Sequence, residues 1–122
     1  MGSPKVLVAE DDRSVRMTIE FVLEDEGFEV HMAADGAEAL QKALEILPDV
    51  ILLDQIMPKM DGKEVLAALR ADDSTRSIPV VVLTGMARGA PSEWPGAHFV
   101  GKPFAPEELV EQIRELVGDH RT

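Results

Sequence analysis

DVILLDQIMPKMDGKE, residues 49–64, passes within sixteen positions from an apolar strand to a capped helix. Val50 to Leu53 is a short run of branched apolar side chains, as expected of a strand covered on both faces in a parallel sheet, and it ends on Asp54. Asp61 then offers an N-cap acceptor, Glu64 stands three residues on where it can reach back, and Val65, Leu66 and Leu69 follow at helical spacing. A strand with a polar end, feeding a capped helix, is half of a βαβ unit.

The same grammar repeats on both sides. Lys5 to Ala9 (KVLVA) is an apolar run that ends in Glu10-Asp11-Asp12, and Arg13 to Glu26 carries Val15, Ile19, Val22 and Leu23 on one helical face before a stop at Gly27. Phe28 to Ala33 predicts a weaker strand. Asp35-Gly36-Ala37-Glu38 repeats the capping pattern, with Leu40, Ala43, Leu44 and Leu47 as the expected inner face and Pro48 as the close. Downstream, Pro79 to Leu83 and His98 to Gly101 predict two further strands. Pro106 opens a last helix with Leu109, Ile113, Leu116 and Val117 inward. Strands alternating with helices at these lengths imply right-handed crossovers and a doubly wound α/β domain, whose ligands sit beyond the carboxyl ends of the strands.

At 122 residues, with 45% hydrophobic and 29% charged side chains, the chain fits one globular domain, expected over residues 4–120. Its 12 Lys+Arg against 23 Asp+Glu give a net charge of −11, which repels phosphate backbones and anionic lipid and attracts cations. Direct nucleic-acid or membrane binding is therefore not expected. The apolar runs are too short to span a bilayer, there is no leader pattern, and a cytoplasmic location is the expectation. The absence of cysteine excludes disulfides and thiolate chemistry. No output domain follows Thr122, so the reading is a stand-alone unit or one cut from a larger protein.

Polar groups gather where the apolar strands end: Glu10-Asp11, Asp54, Thr84 and, just after the last strand, Lys102. Acidic side chains brought into one depression repel one another unless a cation neutralises them, and carboxylates with water suit Mg²⁺. A carboxylate beside such a metal can accept a phosphoryl group, with Lys102 and Thr84 offering charge and a hydroxyl to its oxygens. Asp12 reads as a helix cap. His31, His98 and His120 share no ligand spacing, and Met57, Met60 and Met86 read as gap fillers.

The stretches Val6 to Asp12, Asp49 to Gly62, Leu83-Thr-Gly85 and Lys102-Pro-Phe104 together resemble the response-regulator receiver domain of two-component signalling, in order and spacing, over about Lys5 to Val117. That resemblance implies a flavodoxin-like five-stranded parallel sheet in the order 2-1-3-4-5, and a histidine kinase or phosphotransfer protein as phosphodonor. It implies Asp54 as phosphoacceptor and a metal held by Glu10, Asp11, Asp54 and the Ile56 carbonyl. Lys102 would pair with the phosphoryl group, Thr84 and Phe99 would act as the switch, and the bond before Pro103 would be cis. A downstream protein target or a linked output domain would read the switch. Self-modification would be the only catalysis. A phosphatase of the haloacid-dehalogenase type would need a second aspartate where Ile56 stands, and a pseudo-receiver would lack one of the site residues. The span from Gly85 to Gly96 is short and rich in Gly and Pro, so the helix usual there is expected to be shortened or missing. Trp94 within it reads equally as a buried plug or as a partner anchor.

Overall fold

The computed structural model describes residues 3–85, 94, 96–101 and 104–117. Five strands, β1 (Lys5–Ala9), β2 (Glu29–Ala33), β3 (Val50–Asp54), β4 (Val80–Thr84) and β5 (Ala97–Gly101), form one parallel sheet in the order β2-β1-β3-β4-β5. Among the described residues the helices are α1 (Arg13–Asp25), α2 (Gly36–Ile46), α3 (Gly62–Ala71) and α4 (Pro106–Val117). The expected doubly wound, flavodoxin-like architecture is what forms. The expectation about a helix between β4 and β5 falls on residues 86–93 and 95, which lie outside the described residues.

The alternation of side chains along each strand sorts the core into two layers. Leu7, Ala9, Ile51, Leu53, Val80 and Val82 face α2 and α3, whereas Val6, Val8, Val50, Leu52, Val81 and Leu83 face α1 and α4. All twelve are buried, which explains why β1, β3 and β4 read as unbroken apolar runs and not as alternating ones. Burying each branched side chain contributes roughly 1.5–3 kcal/mol before the entropy of ordering is set against it.

Caps set where the helices start. Asp12 accepts from the backbone N–H groups of Ser14 and Val15, at 2.9 and 3.3 Å, so its expected role at α1 holds. Asp61 and Glu64 close a full capping box on α3. At α2 the device is offset: Asp35 accepts from Glu38 N–H at 2.8 Å, but the Glu38 carboxylate takes Ala34 N–H, one residue outside the cap. That hydrogen bond from Glu38 N–H, aided by nearby Lys59, holds the Asp35 carboxyl below its ordinary range against the opposing effect of desolvation.

Of the expected inner face of α2, Ala43 is buried and Leu40 packs against the core, but Leu44 and Leu47 do not. Gly36, Ala39 and Ala43 are buried, while Leu44 and Leu47 are 42% and 49% exposed. Small residues let α2 approach the loop after β3 so closely that a Cβ on Gly36 would collide with the Met60 carbonyl oxygen. That approach turns Leu44 outward, and Leu47 leaves the helix with φ of 51° ahead of Pro48. Gly36→Ala should therefore lower stability by about 1–3 kcal/mol, the usual effect of overpacking. A urea titration of the two proteins measures it, and an equal or higher midpoint for the variant would contradict the close approach.

Candidate functional site

Parallel pairing brings the strand ends together. Ala9 pairs with Leu53 and Asp54 with Leu83, so Glu10, Asp54 and Thr84 emerge side by side at the carboxyl edge of the sheet. Glu10 continues the ladder by donating its N–H to the Ala33 carbonyl at 3.1 Å. Its carboxylate accepts from Asp12 N–H at 3.1 Å, and its carbonyl accepts from the Arg16 guanidinium at 2.9 Å. Glu10, at 1% exposure, is thereby held as a buried carboxylate, beside exposed Asp11.

Asp54 is fixed from the other side by α3. Gly62 N–H donates to the Gln55 carbonyl at 2.9 Å, and a Cβ on Gly62 would lie 2.6 Å from the Asp54 carbonyl oxygen. The glycine after the α3 cap is thus what lets the helix start against the end of β3. Asp54 itself is 7% exposed and Thr84 9%, so both are largely shielded from water.

Glu10, Asp11 and Asp54 each present an oxygen, and these oxygens all lie within 4.8 Å of one another. The set is all carboxylate, with one member open to solvent, which is the chemistry of a hard divalent cation that keeps several waters. Thr84 donates its hydroxyl to the Gln55 side-chain oxygen at 2.5 Å. Phe99, on β5, is 43% exposed and meets the Trp94 ring edge-on, with centroids 5.9 Å apart and planes at 80°. Trp94 is 4% exposed within the core layer of α2 and α3, so of its two readings the buried plug is the one realised. The Ile56 side chain is 76% exposed. Lys102 and Pro103 lie outside the described residues.

The sequence model of the response regulator receiver domain matches residues 6–114. The chain belongs to the response regulator receiver family. Receiver relatives include the transcriptional regulatory protein PrrA of Mycobacterium leprae, 43% identical over 121 residues, covering 96% of this chain and 51% of the relative. The DNA-binding response regulator MtrA of Mycolicibacterium smegmatis is 37% identical, with coverage of 90% and 49%. This chain spans about half the length of these relatives. Among solved receivers, the chemotaxis protein CheY4 of Vibrio cholerae superposes with a TM-score of 0.87 at 33% identity, covering 95% of this chain and all (100%) of the other. The receiver domain of the sensor histidine kinase PA1611 from Pseudomonas aeruginosa does so at 0.88 and 28% identity, covering 97% and 100%, and that structure has a magnesium ion coordinated in its active site cleft.

Sequence reasoning gathered Glu10, Asp11, Asp54 and Thr84 and missed Gln55, because a glutamine one residue past a strand carries no signal of its own. Arg70 was missed as well: it donates to the carbonyls of Arg76 and Ile78 at 3.1 and 2.8 Å and to that of Gly96 at 3.5 Å, and burial lowers its pKa. Two separated loops are tied to the end of α3 in this way.

Only the folded chain gathers the three carboxylates, so without a cation their mutual repulsion counts against the folded state. With a chelator present, Asp11→Asn should stabilise the protein by up to about 1 kcal/mol, the scale for charges a few ångströms apart near a surface. Chemical denaturation in chelator decides the matter, and a destabilised variant would mean that Asp11 gains more from its surroundings than it loses to repulsion by Glu10 and Asp54.

Proposed function

We propose that this receiver takes a phosphoryl group onto Asp54 from a histidine kinase or histidine phosphotransfer protein and changes its surface in response, with residues 4–120 acting as one cytoplasmic unit. The observation that carries the reading is a shielded carboxylate at the end of β3 with two further carboxylates whose oxygens lie within 4.8 Å of its own. Glu10, Asp11 and Asp54, with the Ile56 carbonyl, are the groups that would hold Mg²⁺, and the ion when bound offsets negative charge on the entering phosphoryl oxygens.

An Asp54 carboxylate oxygen attacks phosphorus in line with the P–N bond to the donor imidazole. That bond breaks, its electron pair returns to the ring nitrogen, and the donor ends as neutral histidine after taking up a proton from water. The product on Asp54 is an acyl phosphate. Lys102, next after β5 in sequence, is the group that would supply a positive charge to its oxygens, and the Thr84 hydroxyl would donate to one of them. The chain catalyses only its own phosphorylation and dephosphorylation. A downstream protein or a linked output domain reads the result, since relatives twice as long are named as transcriptional regulators. With 12 cations against 23 acids, the receiver itself is not the part that touches nucleic acid.

Acetyl phosphate with Mg²⁺ should add one phosphoryl group, seen by mass spectrometry, and Asp54→Asn or removal of Mg²⁺ should abolish it. A stable phosphate on the Asn variant would place the acceptor elsewhere.

Phe99 supplies a second test. Thr84 and Phe99 stand on the same face of the sheet as Trp94, and Trp94 is the single tryptophan in a chain without tyrosine. If Phe99 turns inward as Thr84 moves toward the phosphoryl group, the ring edge against Trp94 is lost and its emission changes. Phosphorylation should alter Trp94 fluorescence in the wild type and much less in Phe99→Leu; an equal change in both would remove Phe99 from the switch.

A further inference from the structure

Gln55 is held by its main chain from two directions. Its N–H donates to the Leu83 carbonyl at 3.1 Å, and its carbonyl accepts from Gly62 N–H at 2.9 Å. The side chain therefore starts from a fixed point between β3, β4 and the beginning of α3, and its oxygen takes the Thr84 hydroxyl at 2.5 Å. A threonine hydroxyl has one hydrogen to give. While that hydrogen goes to Gln55, it is not available to an oxygen carried by Asp54, the residue immediately before Gln55 in the chain.

We propose that Gln55 is a positioning residue: its carboxamide latches Thr84 in the resting arrangement and so sets how readily the phosphoryl-bound form is reached. The inference rests on the receiver reading of Asp54 and deepens it. Reaching the bound form requires Thr84 to exchange one acceptor for another, so the resting hydrogen bond competes directly with the phosphoryl group. A net hydrogen bond of ordinary strength reduces the competent fraction, and with it the apparent affinity for a phosphoryl analogue, by about three- to tenfold. An apolar side chain of similar length at this position removes this competing acceptor and keeps Asp54, Glu10 and Asp11 unchanged.

The experiment is a calorimetric titration of the whole chain with beryllofluoride, a phosphoryl analogue, in the presence of Mg²⁺. Gln55→Leu and Gln55→Met are each placed in three backgrounds: Thr84, Thr84→Ser and Thr84→Val. Both substitutions should tighten binding about three- to tenfold where position 84 keeps a hydroxyl, and should change nothing in Thr84→Val. Unchanged affinity in both Gln55 variants overturns the latch, as does equal tightening with Thr84→Val, which would place the effect of Gln55 elsewhere. Failure of the receiver reading has a different signature: wild-type protein that neither binds beryllofluoride nor is labelled at Asp54 by acetyl phosphate.

Discussion

The alignment of β1 with β3 is the constraint on which the rest of the molecule depends. Because Ala9 pairs with Leu53, the next residues on each side, Glu10 and Asp54, are neighbours, and both are acids. Two of the three clustered carboxylates, Glu10 and Asp54, are almost fully shielded from water, an unfavourable arrangement unless hydrogen bonds and counter-charge compensate it. Compensation begins locally, since Glu10 accepts from Asp12 N–H and sits beside a main chain anchored by Arg16. Asp12 in turn caps α1, so the residue that starts the helix is also part of what steadies the acid before it.

The strand side chains that keep this register are apolar and two-sided. A shift of β3 by one residue against β1 would exchange the two core layers, moving Ile51 and Leu53 from beneath α2 and α3 to the side of α1 and α4, where Val50 and Leu52 now pack. Side chains of different shape meet each layer, so such a shift is opposed along the whole strand. The precision of the site is in this sense a property of the core, and α3 adds to it through the close approach of Gly62 to the end of β3.

What could be read from residue order was whatever depends on one element at a time. Apolar runs, the caps at Asp12, Asp35 and Asp61, and the acids and threonine at strand ends all belong to this kind, and each stands where expected. Features that depend on how elements meet were not legible. Leu44 and Leu47 have the spacing of an inner face, yet α2 packs through Gly36, Ala39 and Ala43, because closeness to the Met60 loop favours small side chains over large ones. Gln55 gained its meaning only from the β3–β4 register, which places it against Thr84. Trp94 could be settled only by knowing which layer of the core had room for an indole.

Gln55, Thr84, Phe99 and Trp94 are the residues through which, on the proposed reading, one small displacement would reach the surface. Val82 pairs with Phe99, and Thr84 lies two residues further along the same face of β4. On the proposed reading, movement of Thr84 toward Asp54 would withdraw a side chain from that face, and the half-exposed Phe99 on the neighbouring strand is a large apolar group whose burial would refill the space. Phe99 is also edge-on to Trp94, so an inward rotation would trade an aromatic contact worth about 0.5–1.5 kcal/mol for burial of its remaining exposed area, a gain of comparable size. Opposing contributions of that similarity would leave the two arrangements close in free energy. A balance of this kind is the condition under which one hydrogen bond, from Thr84 to Gln55 or from Thr84 to a phosphoryl oxygen, decides which arrangement prevails.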